Sequence, residues 1–424
     1  MRNPWRCFAV VASAALVLAA CSGNESSSGS TVQEVRIGVL DPTSGVNATT
    51  GLDSQRGALL AAEIVNGKHP DISLPLAKDA GLPNLGGAKI KMIPADTKGD
   101  PTFGGSEAQR LITDEKVVAE TGAYQSAVTT TASAAAERLK VPFVNGDSSS
   151  VSLTQRGLNY FFRTGPHDLT FGESFFSMLK DKPNGHEVKK IVILHTDDAF
   201  GVNGAKVTVQ LAENNGVTVL KNLAYSVKAT NLDSQVQQVR AANPDALFVL
   251  SFVKDSVLLA ETFKKFDYLP PAVLGYGAGF SDPAFVDGTD HAANAAGFVR
   301  RTSWSPDIAA QNPTAKKISE MFQQKYGEPM TENSARSFTA TMTLITAINN
   351  AGSTDPAKIR AALQNIDIPG RDTIMPWDGV KFDENHQNSG ARGVLEQFLG
   401  GEWHVIYPKD VATKQVVWPI QDAR

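Results

Sequence analysis

Small hydroxyl side chains cluster in the segment TGAYQSAVTTTASAAAERL (121–139), which predicts a strand end, a short loop and the start of a helix. Ser126 is placed to cap that helix, because a serine hydroxyl can accept a hydrogen bond from a backbone N–H of the first turn. Uncovered N–H groups and the positive end of the helix dipole also suit a carboxylate. Tyr124 and Gln125 share this loop and are candidate ligand contacts. The alternative is that Ser126 only caps the helix and the threonines cover its surface.

A second polar cluster, NGDSSSVSLTQRG (145–157), follows the next predicted strand. In open α/β sheets, ligands bind beyond the carboxyl ends of the strands, so the two clusters could face one crevice. Asp147 in this segment could meet a cation or the amino group of a ligand. Its alternative role is to cap a turn, which is common for an aspartate before a run of serines.

Two further strand ends, in the second half of the chain, carry polar and aromatic side chains. The first, ILHTDDAFG, places His195 near Asp197 and Asp198 with Phe200 behind them, and the second, SFVKDS, contains Phe252. One histidine and two adjacent carboxylates lack the usual spacing of a metal site. No metal is therefore expected here.

Short β-branched segments alternate with amphipathic helical segments along most of the chain. From VRIGVL to VPFVNGD this rhythm predicts a parallel sheet that is covered by helices on both faces. The rhythm restarts after YFFRTGPHD, and later helical patterns are expected to return to the first unit. The predicted fold is α/β with two doubly wound parallel-sheet lobes. The first comprises 35–164 plus 300–375, and the second comprises 165–299 plus 376–424.

The motifs that would mark an enzyme are missing from the sequence. It has no G-x-S-x-G elbow, no Walker loop, no G-x-G-x-x-G after a strand and no H-E-x-x-H. The chain carries 40 basic and 44 acidic residues without a Lys/Arg cluster, which argues against nucleic acid as a partner. We expect a protein that is not an enzyme and needs no cofactor. A catalytic site assembled from scattered residues is the open alternative.

The N-terminal sequence predicts export and a lipid anchor. Two arginines precede an apolar stretch that is too short to span a bilayer and that ends in LAAC, which resembles a bacterial lipobox. We expect 1–20 to be a signal peptide, Cys21 to carry lipid and the Ser/Gly-rich 21–34 to be a flexible tether. The alternative is an ordinary secretory signal with an incidental Cys21. The other cysteine, Cys7, lies in the signal, so the mature body is expected to have no disulfide or thiol chemistry.

Five stretches, taken in order, make the chain resemble the type I periplasmic binding proteins of ABC importers, in the leucine/isoleucine/valine-binding branch. They are RIGVLDPTSG, ADTKGDP, TGAYQSAVTTTASAAAERLKVPFVN, SLTQRG with YFFRT, and ILHTDDAFG, and the resemblance covers about 35–407. It implies two lobes that close on a small ligand and present it to permease subunits in the membrane. The three implied crossover segments fall near 163–167, 297–303 and 374–379. We expect the protein to be a monomer.

The resemblance also implies roles for individual residues. Ser126 matches the serine that binds the ligand carboxylate. Asp147 and Ser149 match a backbone carbonyl and a threonine that hold the ligand carboxylate and ammonium. Phe200 and Phe252 match the aromatic side chains of the second lobe, and they keep the rings while losing the phenol hydroxyls.

Two positions depart from the family pattern. Thr50 matches an aromatic residue of the first strand–helix loop, so that wall of the site is lost. The acidic residue that receives the ligand ammonium is also missing, because the corresponding loop LGYGAGFSDP places Tyr276 and Gly277 there. Thr50, Tyr276 and Gly277 are still expected to contact the ligand. Either Asp147 substitutes from the other lobe or the ligand lacks an amino group.

The expected function is that of an extracytoplasmic, lipid-anchored solute-binding protein of an ABC importer. It is expected to capture a small carboxylate, foremost a branched-chain or other apolar amino acid. Two alternatives stay open. One is a different ligand, such as an aromatic or short-chain carboxylate, an amide or a polyol. The other is a sensory ectodomain that uses the same fold to signal through a partner.

Overall fold

The computed structural model describes residues 32–290 and 293–423. The predicted signal peptide, the predicted lipid-bearing Cys21 and nearly all of the predicted tether lie outside the described residues. None of the helices formed by the described residues combines the length and the apolar character needed to cross a bilayer.

The first lobe begins with a strand–helix alternation that builds a five-stranded parallel sheet. Its elements are β1 (Glu34–Asp41), α1 (Ala48–Asn66), β2 (Lys89–Asp96), α2 (Pro101–Thr113), β3 (Ala119–Gly122), α3 (Ser126–Leu139), β4 (Phe143–Asn145) and β5 (Phe161–Arg163). The strand order is β2-β1-β3-β4-β5, so the winding direction reverses beside β1. Both β3 and β4 are buried throughout, as expected for parallel strands with helices on both faces.

The second lobe repeats the alternation. Its elements are α4 (Asp168–Lys180), β6 (Lys190–Thr196), α5 (Ala199–Asn214), β7 (Thr218–Tyr225), α6 (Asp233–Ala242), β8 (Ala246–Leu250), α7 (Val253–Lys265), β9 (Val273–Gly275), α8 (Pro283–Gly288) and β10 (Val299–Thr302). The strands pair in parallel in the order β7-β6-β8-β9-β10. The apolar runs of β6 and β8 are buried, which places the core of this lobe around them.

The chain then returns to the first lobe. It forms α9 (Pro306–Ala309), α10 (Pro313–Tyr326), α11 (Glu332–Ala351), α12 (Pro356–Gln364), β11 (Asp367–Pro369) and β12 (Gly379–Lys381). Thr331 and Ser334 form a reciprocal capping box at the start of α11, which packs against α1. Nearly every residue of α11 is buried, so this helix is a central element of the first lobe.

A C-terminal hairpin completes the second sheet. Its strands β13 (Val394–Leu399) and β14 (Glu402–Tyr407) flank Gly400 and Gly401, which both have positive φ. β13 pairs antiparallel with β10, and the seven-stranded order is β14-β13-β10-β9-β8-β6-β7. The predicted α/β architecture of two parallel-sheet lobes is therefore present, with an antiparallel hairpin at one edge of the second sheet.

The chain changes lobe after β5, after β10 and between β12 and β13. The predicted boundary at 299/300 falls inside β10, because that strand pairs with both β9 and β13 of the second sheet. The predicted boundary at 375/376 comes too early, because Val380 and Phe382 pack in the apolar core of the first lobe. The third crossover thus follows Phe382 instead of preceding it.

Candidate ligand-binding site

A small cavity of about 20 Å³ lies between the lobes, at the carboxyl ends of their central strands. Seven of the ten predicted ligand contacts meet here, together with three residues that the sequence did not single out. The first lobe supplies Tyr124, Gln125, Ser126, Asp147, Ser149, Asn333 and Arg336, and the second lobe supplies Phe200, Phe252 and Arg301. The two predicted polar clusters therefore do face one crevice.

The start of α3 forms one wall of the cavity. Gln125 takes the N-cap position with φ −79° and ψ 135°, and its side chain makes no capping hydrogen bond within the described part of the chain. The prediction that Ser126 caps this helix is wrong, because Ser126 is the first helical residue. Its Oγ instead accepts a hydrogen bond from the backbone N of Ser150 at 3.3 Å. The first N–H groups of α3 thus lack a side-chain cap beside the cavity, an arrangement that suits an anion.

Hydrogen bonds brace this helix start against the loop after β4. The amide Nδ2 of Asn145 donates to the carbonyl oxygens of Gly122 and Ala123 at 2.7 and 2.9 Å. The hydroxyls of Thr129 and Ser148 lie 2.6 Å apart, and both also bond to the carbonyl oxygen of Ala123. Thr129 therefore fixes the shape of the wall, and Ser126 is the hydroxyl of α3 that reaches the cavity.

Asp147 is the only carboxylate among the residues that line the cavity in the described structure. Its Oδ2 accepts a hydrogen bond from Ser54 at 3.2 Å, and its Oδ1 lies 3.8 Å from Nε of Arg336. Burial raises the pKa of Asp147 to about 7, against the opposing charge of Arg336. Near neutral pH this carboxyl group is therefore present in both its protonated and its ionised form.

Three aromatic rings form the apolar side of the cavity. Phe200 is the second residue of α5 and Phe252 directly precedes α7, so both rings sit at helix starts of the second lobe. Their centroids lie 5.5 Å apart, and the ring of Tyr124 from the first lobe lies 6.1 Å from that of Phe252. Rings from the two lobes thus meet edge to face across the crevice.

A buried charge cluster closes the cavity. Nη1 of Arg301 lies 2.6 Å from Oε1 of Glu332, and Nη1 of Arg336 lies 3.1 Å from the same oxygen. Burial alone would raise the pKa of Glu332, but the two guanidinium groups outweigh burial and hold that pKa below its usual value. Since Arg301 belongs to β10 and Glu332 to α11, this ion pair joins the two lobes.

Two further hydrogen bonds join the lobes at the edge of the cavity. Thr50 bonds through its hydroxyl to a carboxylate oxygen of Asp282, and Ser281 donates to Oε2 of Glu332 at 3.0 Å. Thr50 was expected to touch ligand, but it does not line the cavity and contacts the opposite lobe.

A family model described as periplasmic binding protein matches residues 34–396. The chain belongs to the periplasmic binding protein family. Leu/Ile/Val-binding protein homolog 7 of Brucella suis is 27% identical over 399 residues, which cover 91% of this chain and 94% of that relative.

Solved structures share the fold of this periplasmic binding protein. A leucine-binding protein from Thermotoga maritima superposes with a TM-score of 0.74 at 22% identity, covering 88% of this chain and 97% of that one. A solute-binding protein of an ABC transporter from Rhodopseudomonas palustris, in complex with 3,4-dihydroxybenzoic acid, gives 0.72 at 18% identity, covering 92% and 99%. Periplasmic binding proteins bind solutes and catalyse no reaction, so membership of this family confirms the prediction that the chain is not an enzyme.

Two predicted contacts of this binding protein lie behind its cavity. The ring of Tyr276 is fully buried 5.3 Å from that of Phe175, and its hydroxyl lies 3.1 Å from that of Thr208, so Tyr276 supports the second-lobe core. Gly277 has φ +76°, and a Cβ at this position would overlap the guanidinium group of Arg301. Neither residue lines the cavity, because Arg301 fills the space between this loop and the ligand side.

The polar residues after β6 have structural roles. Asp198 caps α5 through a hydrogen bond from Gly201 N at 3.0 Å, Asp197 accepts one from Val227 N at 3.1 Å, and Nδ1 of His195 lies 2.7 Å from the carbonyl oxygen of Thr196. Across the described ranges, no group of three or more His, Cys, Asp or Glu side chains is placed to hold a metal ion.

Sequence reasoning missed Arg301, Arg336 and Asn333. Arg301 stands next to a second arginine in the strand VRRT, and Arg336 lies in the helix start ENSARS. Arginine is usually exposed in both settings. Nothing in the local pattern therefore distinguishes these buried guanidinium groups from surface ones.

Proposed function

We propose that this binding protein captures a small carboxylate with an apolar part and hands it to the permease subunits of an ABC importer. The observation that carries this proposal is the pairing of a hydroxyl-lined, uncapped helix start with three aromatic rings around one cavity. The carboxylate would bond to Ser126, Ser149 and the first N–H groups of α3, where the helix dipole favours negative charge. The apolar part would pack against Tyr124 and the second-lobe rings.

Ligand entry would require the lobes to separate. A cavity of about 20 Å³ is far smaller than the roughly 300–1,000 Å³ of most small-molecule sites. The contacts that would open are few and specific, namely the Arg301–Glu332 ion pair and the Thr50–Asp282 and Ser281–Glu332 hydrogen bonds. The three crossovers at the rear of the crevice would act as the hinge.

The ligand range of structural relatives fits this proposal. One of these proteins is a leucine-binding protein and another forms a complex with 3,4-dihydroxybenzoic acid, and both ligands are carboxylates with an apolar body. Attachment to the outer face of the cell membrane through a lipid on Cys21, and function as a monomer, complete the proposal.

A thermal-shift screen of the protein tests the ligand class. The panel contains apolar amino acids, branched 2-oxo acids, benzoates, the corresponding primary amides and neutral sugars. A bound ligand raises the melting temperature in a concentration-dependent manner, because it stabilises only the folded protein. We expect shifts with at least one class of carboxylate and none with amides or sugars. Shifts confined to neutral compounds would contradict the proposal.

A further inference from the structure

We propose that Arg301 makes this site select carboxylates whose second polar group is a hydrogen-bond acceptor, with a branched 2-oxo acid as the simplest case, and reject α-amino acids. This inference rests on the proposed capture of a carboxylate. According to it, Arg301 determines which second polar group a bound carboxylate can carry.

The charges at the cavity favour an acceptor over an ammonium group. Arg301 and Arg336 both line the cavity, whereas Asp147 is the one acidic side chain that does so in the described residues. Glu332 lies behind the two arginines and is bonded to both of them and to Ser281, so it is not available to a ligand. A ligand ammonium would therefore approach two guanidinium groups, while the carboxylate that pairs with both of them, Glu332, has its oxygens already occupied by donors.

The guanidinium group of Arg301 is held rigidly toward the ligand side. Its Nε donates to the carbonyl oxygen of Tyr276 at 2.6 Å, and its Nη1 donates to Glu332 at 2.6 Å. The ring of Phe171 lies beneath it, with the guanidinium carbon 4.1 Å from the ring centroid. Nη2 is the remaining nitrogen, and a planar guanidinium group fixed in this way presents it in a defined direction.

Gly277 makes this placement possible. With φ +76° and no side chain, it leaves the space that the Arg301 guanidinium group occupies, and any Cβ there would overlap that group. A larger residue in this loop could not coexist with the present position of Arg301. The loop and the arginine are thus matched to each other.

Asp147 cannot readily supply the negative charge that a ligand ammonium would need beside the two arginines. Its Oδ1 already lies 3.8 Å from Arg336, and its burial favours the protonated carboxyl group. A protonated Asp147 can donate a hydrogen bond, so it too suits an oxo group. Hydrogen bonds from a charged donor such as Arg301 are among the stronger ones in proteins.

A matched pair of ligands tests the inference on the wild-type protein. Leucine and 4-methyl-2-oxopentanoate share the carboxylate and the branched chain and differ only in the amino or oxo group at C2. Isothermal titration at pH 7 is expected to show at least tenfold tighter binding of the oxo acid. Equal or tighter binding of leucine would overturn the inference while leaving carboxylate capture intact. If neither these two ligands nor any other carboxylate of the panel binds, the proposed function fails and the inference fails with it.

Variants of the neighbouring residues Arg300 and Arg301 test which of them determines the preference for the oxo acid. Arg301→Gln is expected to lower the ratio of oxo-acid to leucine affinity at least fivefold, and Arg301→Lys, which keeps the charge, is expected to retain most of it. Arg300→Gln is the control, since Arg300 pairs with Glu396 and does not line the cavity. An Arg301→Gln variant that folds, as judged by circular dichroism, yet keeps the wild-type ratio would overturn the role of Arg301.

Discussion

The two walls of the cavity are built in different ways. The first-lobe wall is an uncapped helix start and a strand-end loop, tied together by Asn145, Thr129 and Ser148. The second-lobe wall consists of side chains, the rings of Phe200 and Phe252 and the guanidinium group of Arg301.

This difference separates two tasks. Backbone N–H groups held by a hydrogen-bond network are fixed before a ligand arrives, so little ordering cost remains when a carboxylate binds. Side chains on the second lobe can change between proteins without disturbing the sheet. We therefore expect the first lobe to recognise the carboxylate and the second lobe to decide which carboxylates fit.

The largest expected effect comes from removing the Arg336 side chain, whose hydrogen bonds and ion pair support the first-lobe wall. Arg336 donates to the carbonyl oxygens of Gly146 and Asp147 at 2.9 and 2.7 Å and pairs with Glu332. Arg336→Met should lower the free energy of unfolding by about 3–5 kcal/mol, because two buried carbonyl oxygens lose their charged donor and the buried carboxylate of Glu332 loses one of its two cationic partners. Urea denaturation monitored by circular dichroism measures this change.

A surface arginine provides the control for that experiment. Arg56 pairs with Glu328, whose side chain is 63% exposed. Arg56→Met should cost less than about 1 kcal/mol, as is usual for exposed ion pairs. Equal losses for the two variants would show that the Arg336 network does not support the first wall.

An intermediate effect is expected from the second wall. Phe252→Ala removes a ring that contacts both Phe200 and Tyr124, and it should weaken ligand binding by about 1.5 kcal/mol, or roughly tenfold. Titration calorimetry with the best carboxylate of the panel measures this loss. Phe266→Ala, at the far end of α7, is the control and should leave affinity unchanged. If both variants bind like the wild type, the rings of this wall do not contact the ligand.

The smallest expected effect is a pH dependence of binding. Asp147 interacts with Arg336 and Glu332 of α11, Asp53 of α1 and Asp41 of β1, and burial raises its pKa to about 7. A bound anion would raise that pKa further, because like charge disfavours the ionised carboxylate. The complex then binds more protons than the free protein near pH 7, so affinity should fall as pH rises from 6 to 8. The drop should stay below about tenfold, the equivalent of one pKa unit.

Titrations at pH 6, 7 and 8 measure this dependence, and Asp147→Asn should flatten it. An affinity that rises over the same range would indicate that the ligand brings a positive charge to Asp147. That outcome would contradict the rejection of α-amino acids that we assign to Arg301.

Local pattern was enough to predict the sheets and most of the cavity. Strand ends and helix starts follow from periodicity, and in a parallel sheet they converge at one edge, which is why Ser126 and Asp147 could be placed together. Phe252 follows a strand of the other sheet, and only the family resemblance implied that it joins them. The helix cap was missed by one residue, because it depends on the backbone angles of Gln125 and not on its side chain.

Contacts made over long sequence distances could not be predicted in this way. Arg301 and Glu332 come from different lobes, and their pairing depends on how the two lobes meet. Thr50 contacts Asp282, more than two hundred positions away, for the same reason. The late third crossover has a similar cause, since Val380 joins a core that includes Val35 and Ile37 from the first strand of the chain.

The most direct test of carboxylate recognition by the first lobe compares an acid with its primary amide in two variants of α3. Ser126→Ala removes a hydroxyl that lines the cavity, whereas Ser133→Ala removes one from the same helix that does not. A lost hydrogen bond to a charged group costs about 1.5–3 kcal/mol. The preference of the protein for the acid over the amide should therefore shrink about tenfold or more in Ser126→Ala and stay at the wild-type value in Ser133→Ala. An unchanged preference in Ser126→Ala would contradict recognition of the carboxylate by this wall.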